Sequence, residues 1–407
     1  GWAAALDEAG RPVVLADHAY NVRTGVSLLA HPRWRCVWFD PIAAVFLHEE
    51  VAAAAGLAAV DFAGRHFQGE AAGRPEGLRE LLASAKALGN YALRMQLKGR
   101  PDAARGLALL GRDHARRARA ADPASAEAWA HQALLEWAAE PSLGPDPIPR
   151  FRLPLDPVFD LSAARVSYAG RQALARTPDD PLTLNLLSQS FQARGMDEAA
   201  LPLLDRLAGL GIRSLDQIQE REHAEAVRNL LRARLGPMPP TNAENGSELE
   251  RAITALLATG RAASAAELIA REFPARARSW TRADGLATLW LHLGEPALAR
   301  RVWEESVDVD MPRPALRSAR VALTYLVQDD FEPARRYYRE ALAVEPVLFE
   351  AHYGLAVLEL DAGRAAPARV AARLAVAHAP TDVARAAAQA IIAAVEPYAE
   401  GSPQPAR

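Results

Sequence analysis

The chain of 407 residues is long enough for two or three domains or for one long array of repeats. Half of its residues are hydrophobic but only 6% are aromatic, which suits thin, closely packed helices better than a thick sheet core. The formal net charge of −3 excludes a generally basic nucleic-acid-binding protein and a polybasic membrane surface. Cys36 is the only cysteine, which excludes a disulfide within the chain and a multi-cysteine metal site.

Residues 1–48 have the pattern of a small α/β fragment. An apolar run at 12–16 predicts a first strand, and a short helix is expected over 21–31. Aromatic and β-branched residues at 34–39 and apolar residues at 42–47 predict two further strands, separated by an Asp-Pro turn. Three strands are few for an independent domain. We therefore expect the end of a larger domain, in a chain that is either processed or part of a longer protein.

From Glu49 onward the pattern is helical. The predicted helices, of which the first covers 49–65, are joined mostly by short turns marked by glycine or proline. Helices of this length with short connections favour antiparallel helical hairpins.

A spacing of 34 residues recurs along the helical region. It separates three pairs of like residues, namely Gly260 and Gly294, Ala334 and Ala368, and Pro346 and Pro380. In each unit we expect the glycine to end the first helix in a left-handed conformation. The alanine is expected where the two helices cross, and the proline is expected to stop the second helix.

Residues 332–346 (Glu-Pro-Ala-Arg-Arg-Tyr-Tyr-Arg-Glu-Ala-Leu-Ala-Val-Glu-Pro) resemble the tetratricopeptide repeat family, which uses a 34-residue unit with this order of small, aromatic and proline positions. Residues 363–380 and 182–207 are the next best matches. Asp329 at a turn-glycine position and Glu359 at a usual aromatic position depart from the pattern. The resemblance covers about 75–397. It implies an all-α fold, a tetratricopeptide-like α-solenoid of antiparallel helical hairpins, preceded here by the small α/β fragment.

The sequence also predicts a division of the chain. Two stretches interrupt the helical pattern, a proline-rich insertion at 141–157 and a Pro-, Asn- and Gly-rich segment at 236–247. The predicted parts are the α/β fragment at 1–48, a first helical sub-array at 49–235, a linker at 236–247, a second sub-array with a capping helix at 248–397, and a disordered tail at 398–407.

No catalytic or cofactor motif is present in the sequence. It has no Gly-rich phosphate loop followed by Lys, no Gly-x-Ser-x-Gly and no His-Glu-x-x-His. One polar cluster remains, formed by Asp17-His18, Asp40 and His48-Glu49-Glu50. Two hypotheses fit it: a small enzyme built around Asp17, His18 and His48, or ordinary polar residues at strand ends. We predict a protein that is not an enzyme and needs no cofactor or metal ion.

The concave face of the array, built from first helices, is the candidate binding surface. Asn185, Gln189 and Gln192 follow the i, i+4, i+7 spacing that aligns side chains on one helix face. Their amides can donate and accept hydrogen bonds, as an extended peptide main chain requires. The other hypothesis for these residues is an ordinary solvated helix face.

In the C-terminal repeats the candidate surface is apolar. First helices there carry Leu316, Leu323, Tyr353 and Val357, which would form a groove for a helix or an extended hydrophobic segment if they lie on the concave side. They could equally belong to the core. The predicted function is therefore a non-catalytic scaffold that binds a protein or peptide, with no nucleic acid as partner.

A second resemblance concerns the N-terminus. Residues 13–20 and 32–47 resemble the soluble tail of bacterial multi-spanning membrane proteins that are similar to glycosyltransferases acting on lipid-linked sugars. It implies that the chain is an extracytoplasmic accessory region, tethered by a membrane anchor upstream, with the catalytic part also upstream. The chain itself is not expected to contact the membrane. Without this resemblance, a cytoplasmic adaptor is the expectation.

Overall fold

The computed structural model describes residues 5–6, 8–68, 77–139, 157–211, 215–241, 246–276, 280–306 and 313–399. These residues contain three strands and nineteen helices, and they fall into two compact units, Gly1–Pro145 and Asp146–Arg407. The predicted fold class, a tetratricopeptide-like α-solenoid with a small sheet at the N-terminus, is confirmed.

The N-terminal unit begins with a three-stranded antiparallel sheet. Strands β1 (Val14–Asp17) and β2 (Trp34–Phe39) both pair with β3 (Ala43–His48), so the strand order is β1-β3-β2. Helix α1 (Val22–Ala30) packs against all three strands. Each of these four elements lies within a residue or two of its predicted bounds.

Five further helices complete this unit: α2 (Glu49–Ala54), α3 (Phe62–Gln68), α4 (Leu78–Leu97), α5 (Pro101–Ala121) and α6 (Ala126–Ala138). The single helix predicted over 49–65 is wrong. Gly56 adopts φ +65°, which ends α2, and the chain then runs extended to Val60, whose N–H donates to the carbonyl of Cys36. Although the stretch is rich in alanine, the chain therefore leaves the helical conformation here and forms a hydrogen bond to β2.

The sheet has one buried face and one exposed face. Ala16, Cys36 and Phe46 are almost fully buried in a core that includes Tyr91 and Met95 of α4. On the other face the strand register places Leu15 opposite Val45 and Val45 opposite Trp38. Leu15 is 65% exposed and Trp38 57% exposed. Exposed sheet faces usually alternate to polar residues, so this apolar row is unusual.

The second unit consists of thirteen helices in the part of it that is described. They are α7 (Pro157–Arg176), α8 (Pro181–Ala193), α9 (Asp197–Gly209), α10 (Leu215–Leu235), α11 (Gly246–Ala258), α12 (Ala262–Arg276), α13 (Trp280–His292), α14 (Pro296–Glu305), α15 (Pro314–Val327), α16 (Phe331–Val344), α17 (Phe349–Asp361), α18 (Ala365–Ala377) and α19 (Asp382–Ala399). Helices α13 and α14, α15 and α16, and α17 and α18 form hairpins.

The same turn closes the first helix of five hairpins. The second residue after the helix has a positive φ, and the N–H of the residue that follows it donates to the carbonyl five residues earlier, which is the pattern of a Schellman motif. The left-handed residues are Gly195, Gly260, Gly294, Asp329 and Gly363, and the bonds are Met196 to Phe191, Arg261 to Leu256, Glu295 to Trp290, Asp330 to Tyr325 and Arg364 to Glu359. Asp329 therefore occupies a glycine position in geometry as well as in sequence.

The alanines predicted at the helix crossings are buried. Five residues after each of these turns stands an alanine with no exposed surface: Ala200, Ala265, Ala299, Ala334 and Ala368. Only a small side chain lets the second helix approach the first this closely, which explains why the spacing is visible in the sequence.

None of the helices in the described ranges combines the length and the apolar character needed to cross a membrane. The insertion predicted at 141–157 and the tail at 398–407 lie almost wholly outside the described residues.

Candidate binding surfaces on the helical hairpins

Helix α8 carries the predicted amide stripe. Asp180 caps the N-terminus of the helix, since its carboxylate accepts from the N–H of Thr183, and Pro181 is the first helical residue. Gln189 is exposed, whereas Asn185 and Gln192 are half-buried. Leu182, three residues before Asn185 and so on the same helix face, is 41% exposed. The stripe is therefore polar along its length and apolar at its N-terminal end.

Hydrogen bonds within α8 hold the amides in place. Nε2 of Gln189 donates to Oδ1 of Asn185 over 2.9 Å, and Nε2 of Gln192 donates to the carbonyl of Ser188 over 3.1 Å. Within the described ranges, Nδ2 of Asn185 and Oε1 of Gln189 and Gln192 make no hydrogen bond to protein. One donor and two acceptors therefore remain for a ligand.

The apolar candidates in the C-terminal repeats are less exposed than the amide stripe. Leu323 on α15 and Tyr353 and Val357 on α17 are buried, with 3%, 8% and 9% of their surface exposed, and Leu316 is half-buried. Because of this burial, a partner cannot reach the first three while the chain keeps this arrangement. Their role in peptide binding stays a prediction.

Helix α7 explains why the first helices of these repeats are so deeply buried. It packs against α8 and, across more than a hundred residues of sequence, against α13, α15 and α17. Eleven of the thirteen residues of α17 are buried, so this helix is enclosed on all sides. From Leu161 to Gly170, α7 is itself buried except at Ser162 and Tyr168, which are half-buried. The face formed by α13, α15 and α17 is thus occupied by a helix of the same unit.

Buried charged residues connect the helices of these repeats, and the sequence did not lead us to predict these contacts. Asp284 of α13 accepts from Nε1 of Trp303 on α14 at 3.0 Å and lies 3.3 Å from Nε of Arg320 on α15, so one carboxylate joins three helices. Glu359, the departure from the repeat pattern, accepts from Nε of Arg335 at 3.0 Å, with both residues buried. A charge within an otherwise apolar helix was the available signal, since buried charges are normally paired.

The polar cluster of the N-terminal unit consists of residues with structural roles. Asp17 accepts from the N–H of Ala19 in a turn, and Nδ1 of His48 accepts from the N–H of Glu50 at the start of α2. Burial lowers the pKa of His18 and outweighs its bond to the carbonyl of Asp40. Burial acts to raise the pKa of Asp40, but bonds from nearby main-chain N–H groups prevail and the pKa is lowered.

Glu49 and Glu50 form ion pairs on the surface of the same unit. Glu49 pairs with Arg35 at 3.0 Å, and Glu50 pairs with Arg33 at 3.3 Å and also with Arg11. In the part of the chain described here, no three His, Cys, Asp or Glu side chains come together in a way that could hold a metal ion. The hypothesis of an enzyme around Asp17, His18 and His48 gains no geometric support from these contacts.

Comparison with known proteins shows similarity of fold only. No protein-family model and no curated protein matches the chain. Among solved structures, it is similar to a tetratricopeptide repeat protein from Parabacteroides merdae, with 12% identity, a TM-score of 0.31, and coverage of 77% of this chain and 99% of that one. It is also similar to TTC0263, a thermophilic tetratricopeptide repeat protein of Thermus thermophilus (17%, TM-score 0.22, coverage 76% and 99%), and to yeast Tom70 (11%, TM-score 0.34, coverage 77% and 95%).

The predicted resemblance to tetratricopeptide repeats is confirmed. The chain's own geometry carries this conclusion, since the Schellman turns and buried alanines follow the repeat spacing in the helices themselves.

Proposed function

We propose that the chain is a non-catalytic scaffold that holds an extended segment of a partner protein along α8. Tetratricopeptide-like arrays are protein-interaction scaffolds in general, and the amide stripe of α8 supplies the specific site. The observation that carries the proposal is the set of amide atoms on Asn185, Gln189 and Gln192 that make no hydrogen bond within α8, aligned along one partly exposed helix face.

The chemistry of the stripe favours a main-chain ligand. An extended peptide presents alternating N–H and C=O groups, and the stripe offers one donor and two acceptors at successive turns of the helix. Leu182 adds an exposed apolar contact at one end, suited to an aliphatic side chain of the peptide. No charged residue of this chain takes part, so binding is expected to depend weakly on salt.

The test uses a random twelve-residue peptide library displayed on phage, selected against the full chain. Enriched peptides are then measured by isothermal titration against the wild-type chain and the Asn185→Ala, Gln189→Ala double variant. Loss of two hydrogen bonds worth about 1 kcal/mol each predicts a Kd weakened about 30-fold.

The matched control is Gln389→Ala, which removes an exposed amide from α19 and should leave the affinity unchanged. Failure to enrich any peptide, or equal affinities for the wild-type chain and the double variant, would show that the stripe is not the site. The accessory role in a larger glycosyltransferase-like membrane protein stays a prediction.

A further inference from the structure

Helix α7 meets the three first helices at equivalent places. His292 of α13 and Leu326 of α15 stand 34 residues apart, and Asp361 of α17 stands 35 residues beyond Leu326, so the contacts fall at the C-terminal end of each helix. The packing there is close: a Cβ added to Gly294 would lie 2.7 Å from the carbonyl of Ser167 on α7. Small buried residues on α7, among them Ala163, Ala164 and Gly170, permit this approach.

A guanidinium group sits at the centre of the contact. Nη1 of Arg165 lies 2.7 Å from Oδ2 of Asp361, and its Nη2 donates to the carbonyl of Leu326 over 3.2 Å. Arg165 is 4% exposed and Asp361 is 1% exposed. The positive charge also lies at the C-terminal ends of α15 and α17, where the helix dipoles favour a cation. Asp361 and Leu326 together therefore form a built arginine site.

Two further polar contacts fix the direction of α7. Oδ1 of Asp160 lies 3.0 Å from Nε2 of His292, and Nη1 of Arg171 donates to Glu295 over 3.0 Å. The pattern on α7 is thus an acid, an arginine five residues later and a second arginine six residues beyond that. Each of these groups faces a complementary group on α13, α15 or α17 or on the turn after α13.

We propose that the face formed by α13, α15 and α17 is a helix-binding site selective for an arginine, and that α7 is its intramolecular occupant. The partner it fits is a helical segment of another protein that repeats the spacing of α7, an acidic residue followed five positions later by arginine, with small residues between. A replacement helix without a cation at this position would lose both the contact with Asp361 and the hydrogen bond to the carbonyl of Leu326. Only a segment that brings its own guanidinium can replace α7, which gives the site its selectivity. This site is separate from the amide stripe of α8 and does not rest on it.

The probe is a fluorescein-labelled synthetic peptide of residues 157–176, titrated into the full-length chain and followed by anisotropy. In the wild-type chain α7 competes with the peptide. The Arg165→Ala chain weakens this competitor and keeps the acceptor Asp361, so we expect it to bind the peptide about tenfold more tightly than the wild-type chain, or better. In the Asp361→Ala chain α7 is weakened in the same way but the acceptor is lost, and we expect no gain.

The matched controls change one arginine at a time. A peptide carrying Arg165→Ala should not gain affinity for any of the chains, and an Arg176→Ala chain, altered at an exposed arginine at the end of α7, should behave as the wild type does. The proposal is overturned if the Arg165→Ala chain keeps its far-UV circular dichroism yet gains no affinity. Equal gains by the Arg165→Ala and Asp361→Ala chains would overturn it as well.

Hydrogen exchange of the wild-type chain tests the proposal without any variant. If α7 can be replaced by another helix, it must detach while α13, α15 and α17 stay folded. The amides of α7 should therefore exchange faster than those of α13, α15 and α17. Equal protection of all four helices would show that α7 is a fixed part of the core. The double variant of the amide stripe should bind the α7 peptide as the wild-type chain does, so the two proposals can fail separately.

Discussion

Single buried carboxylates hold the first helices of the C-terminal hairpins together. Asp284 is the clearest case, because the same Oδ1 accepts from Trp303 and faces Arg320. A buried ion pair adds little net stability over a well-packed apolar pair, but removing this carboxylate takes a buried acceptor from Trp303 and a buried counter-charge from Arg320.

Replacing Asp284 with alanine is therefore expected to lower the free energy of unfolding by about 3–5 kcal/mol. Asp284→Asn keeps an acceptor for Trp303 and removes only the charge, so its loss should be smaller. Urea unfolding followed by circular dichroism measures both. Glu305→Ala, which breaks the exposed pair of Glu305 with Arg301, is the control and should cost no more than about 1 kcal/mol. A loss for Asp284→Ala as small as that of the control would contradict the argument.

Cys36 carries a pH-dependent contribution to stability. Burial raises the pKa of its thiol to about 12, although its bond to the carbonyl of Trp38 and the charge of Arg65 act to lower it. The folded chain then keeps the proton that the unfolded chain releases near pH 9, so stability falls as the pH rises above this value.

Between pH 9 and 10, where the buried thiol stays protonated, the N-terminal unit should lose about 1 kcal/mol of unfolding free energy through Cys36 alone. Urea titrations at the two pH values, compared between the wild-type and Cys36→Ala chains, isolate this term because the variant lacks it. Identical pH slopes for the two chains would show that the thiol ionises with its usual pKa in the folded state. The pKa of Tyr91 is also raised by burial, and its own contribution near pH 10 is the same in both chains and cancels in the comparison.

Within each hairpin the crossing alanine controls how closely the two helices pack. Ala368 is fully buried, whereas Ala366, two residues earlier on α18, is exposed. Both positions are alanines on the same helix. They differ in that protein surrounds the methyl group of Ala368, whereas solvent surrounds that of Ala366.

Ala368→Leu should therefore destabilise the chain by about 1–3 kcal/mol through overpacking, whereas Ala366→Leu should change stability by less than about 0.5 kcal/mol. Thermal unfolding followed by circular dichroism compares the two directly. Equal melting temperatures would mean that α17 and α18 are not packed through Ala368.

The turn glycines differ in what lies next to them. Gly294 and Gly236 both have a positive φ, but only Gly294 has α7 against it, since a Cβ on Gly236 would meet nothing within 4 Å. Alanine at either site adds backbone strain of about 1 kcal/mol. Gly294→Ala also forces a shift at Ser167.

We therefore expect Gly294→Ala to cost at least about 1 kcal/mol more than Gly236→Ala in urea unfolding. The excess measures the contact between α7 and the turn after α13. Equal costs for the two variants would show that α7 can move away from this turn without loss.

At the scale of the whole molecule, the sequence predicts the hairpins well and their long-range partners poorly. Glycine and alanine positions determine turns and helix crossings through local sterics, so the turns and the buried alanines stand where the repeat spacing predicts them. The contact of Arg165 with Asp361 joins residues almost two hundred positions apart, and no local pattern encodes it. Apolar residues around Arg165 can indicate that α7 is buried, but they do not indicate which helices cover it.

The same limit applies to the N-terminal sheet. Apolar, aromatic and β-branched runs predict the strands, but not that Leu15 and Trp38 form an exposed apolar row. A contiguous apolar surface of this kind should bind the dye anilinonaphthalenesulfonate in the folded state. The Leu15→Ser, Trp38→Ser double variant should lose most of that fluorescence, and Val370→Ser, at an exposed valine of α18, should not. Equal fluorescence in all three chains would place the dye elsewhere.

Repeat arrays usually tolerate the gain or loss of a unit, because each hairpin contacts only its neighbours. Here α7 contacts three hairpins at once, with Asp160 opposite His292 on α13 and Arg165, near the middle of α7, opposite Asp361 on α17. Excising one 34-residue unit would leave the turns and crossing alanines of the other units intact. It would nevertheless separate charged residues of the array from their partners on α7. The hairpins that α7 contacts are therefore not interchangeable, and duplication of one of them would need a matching change in α7.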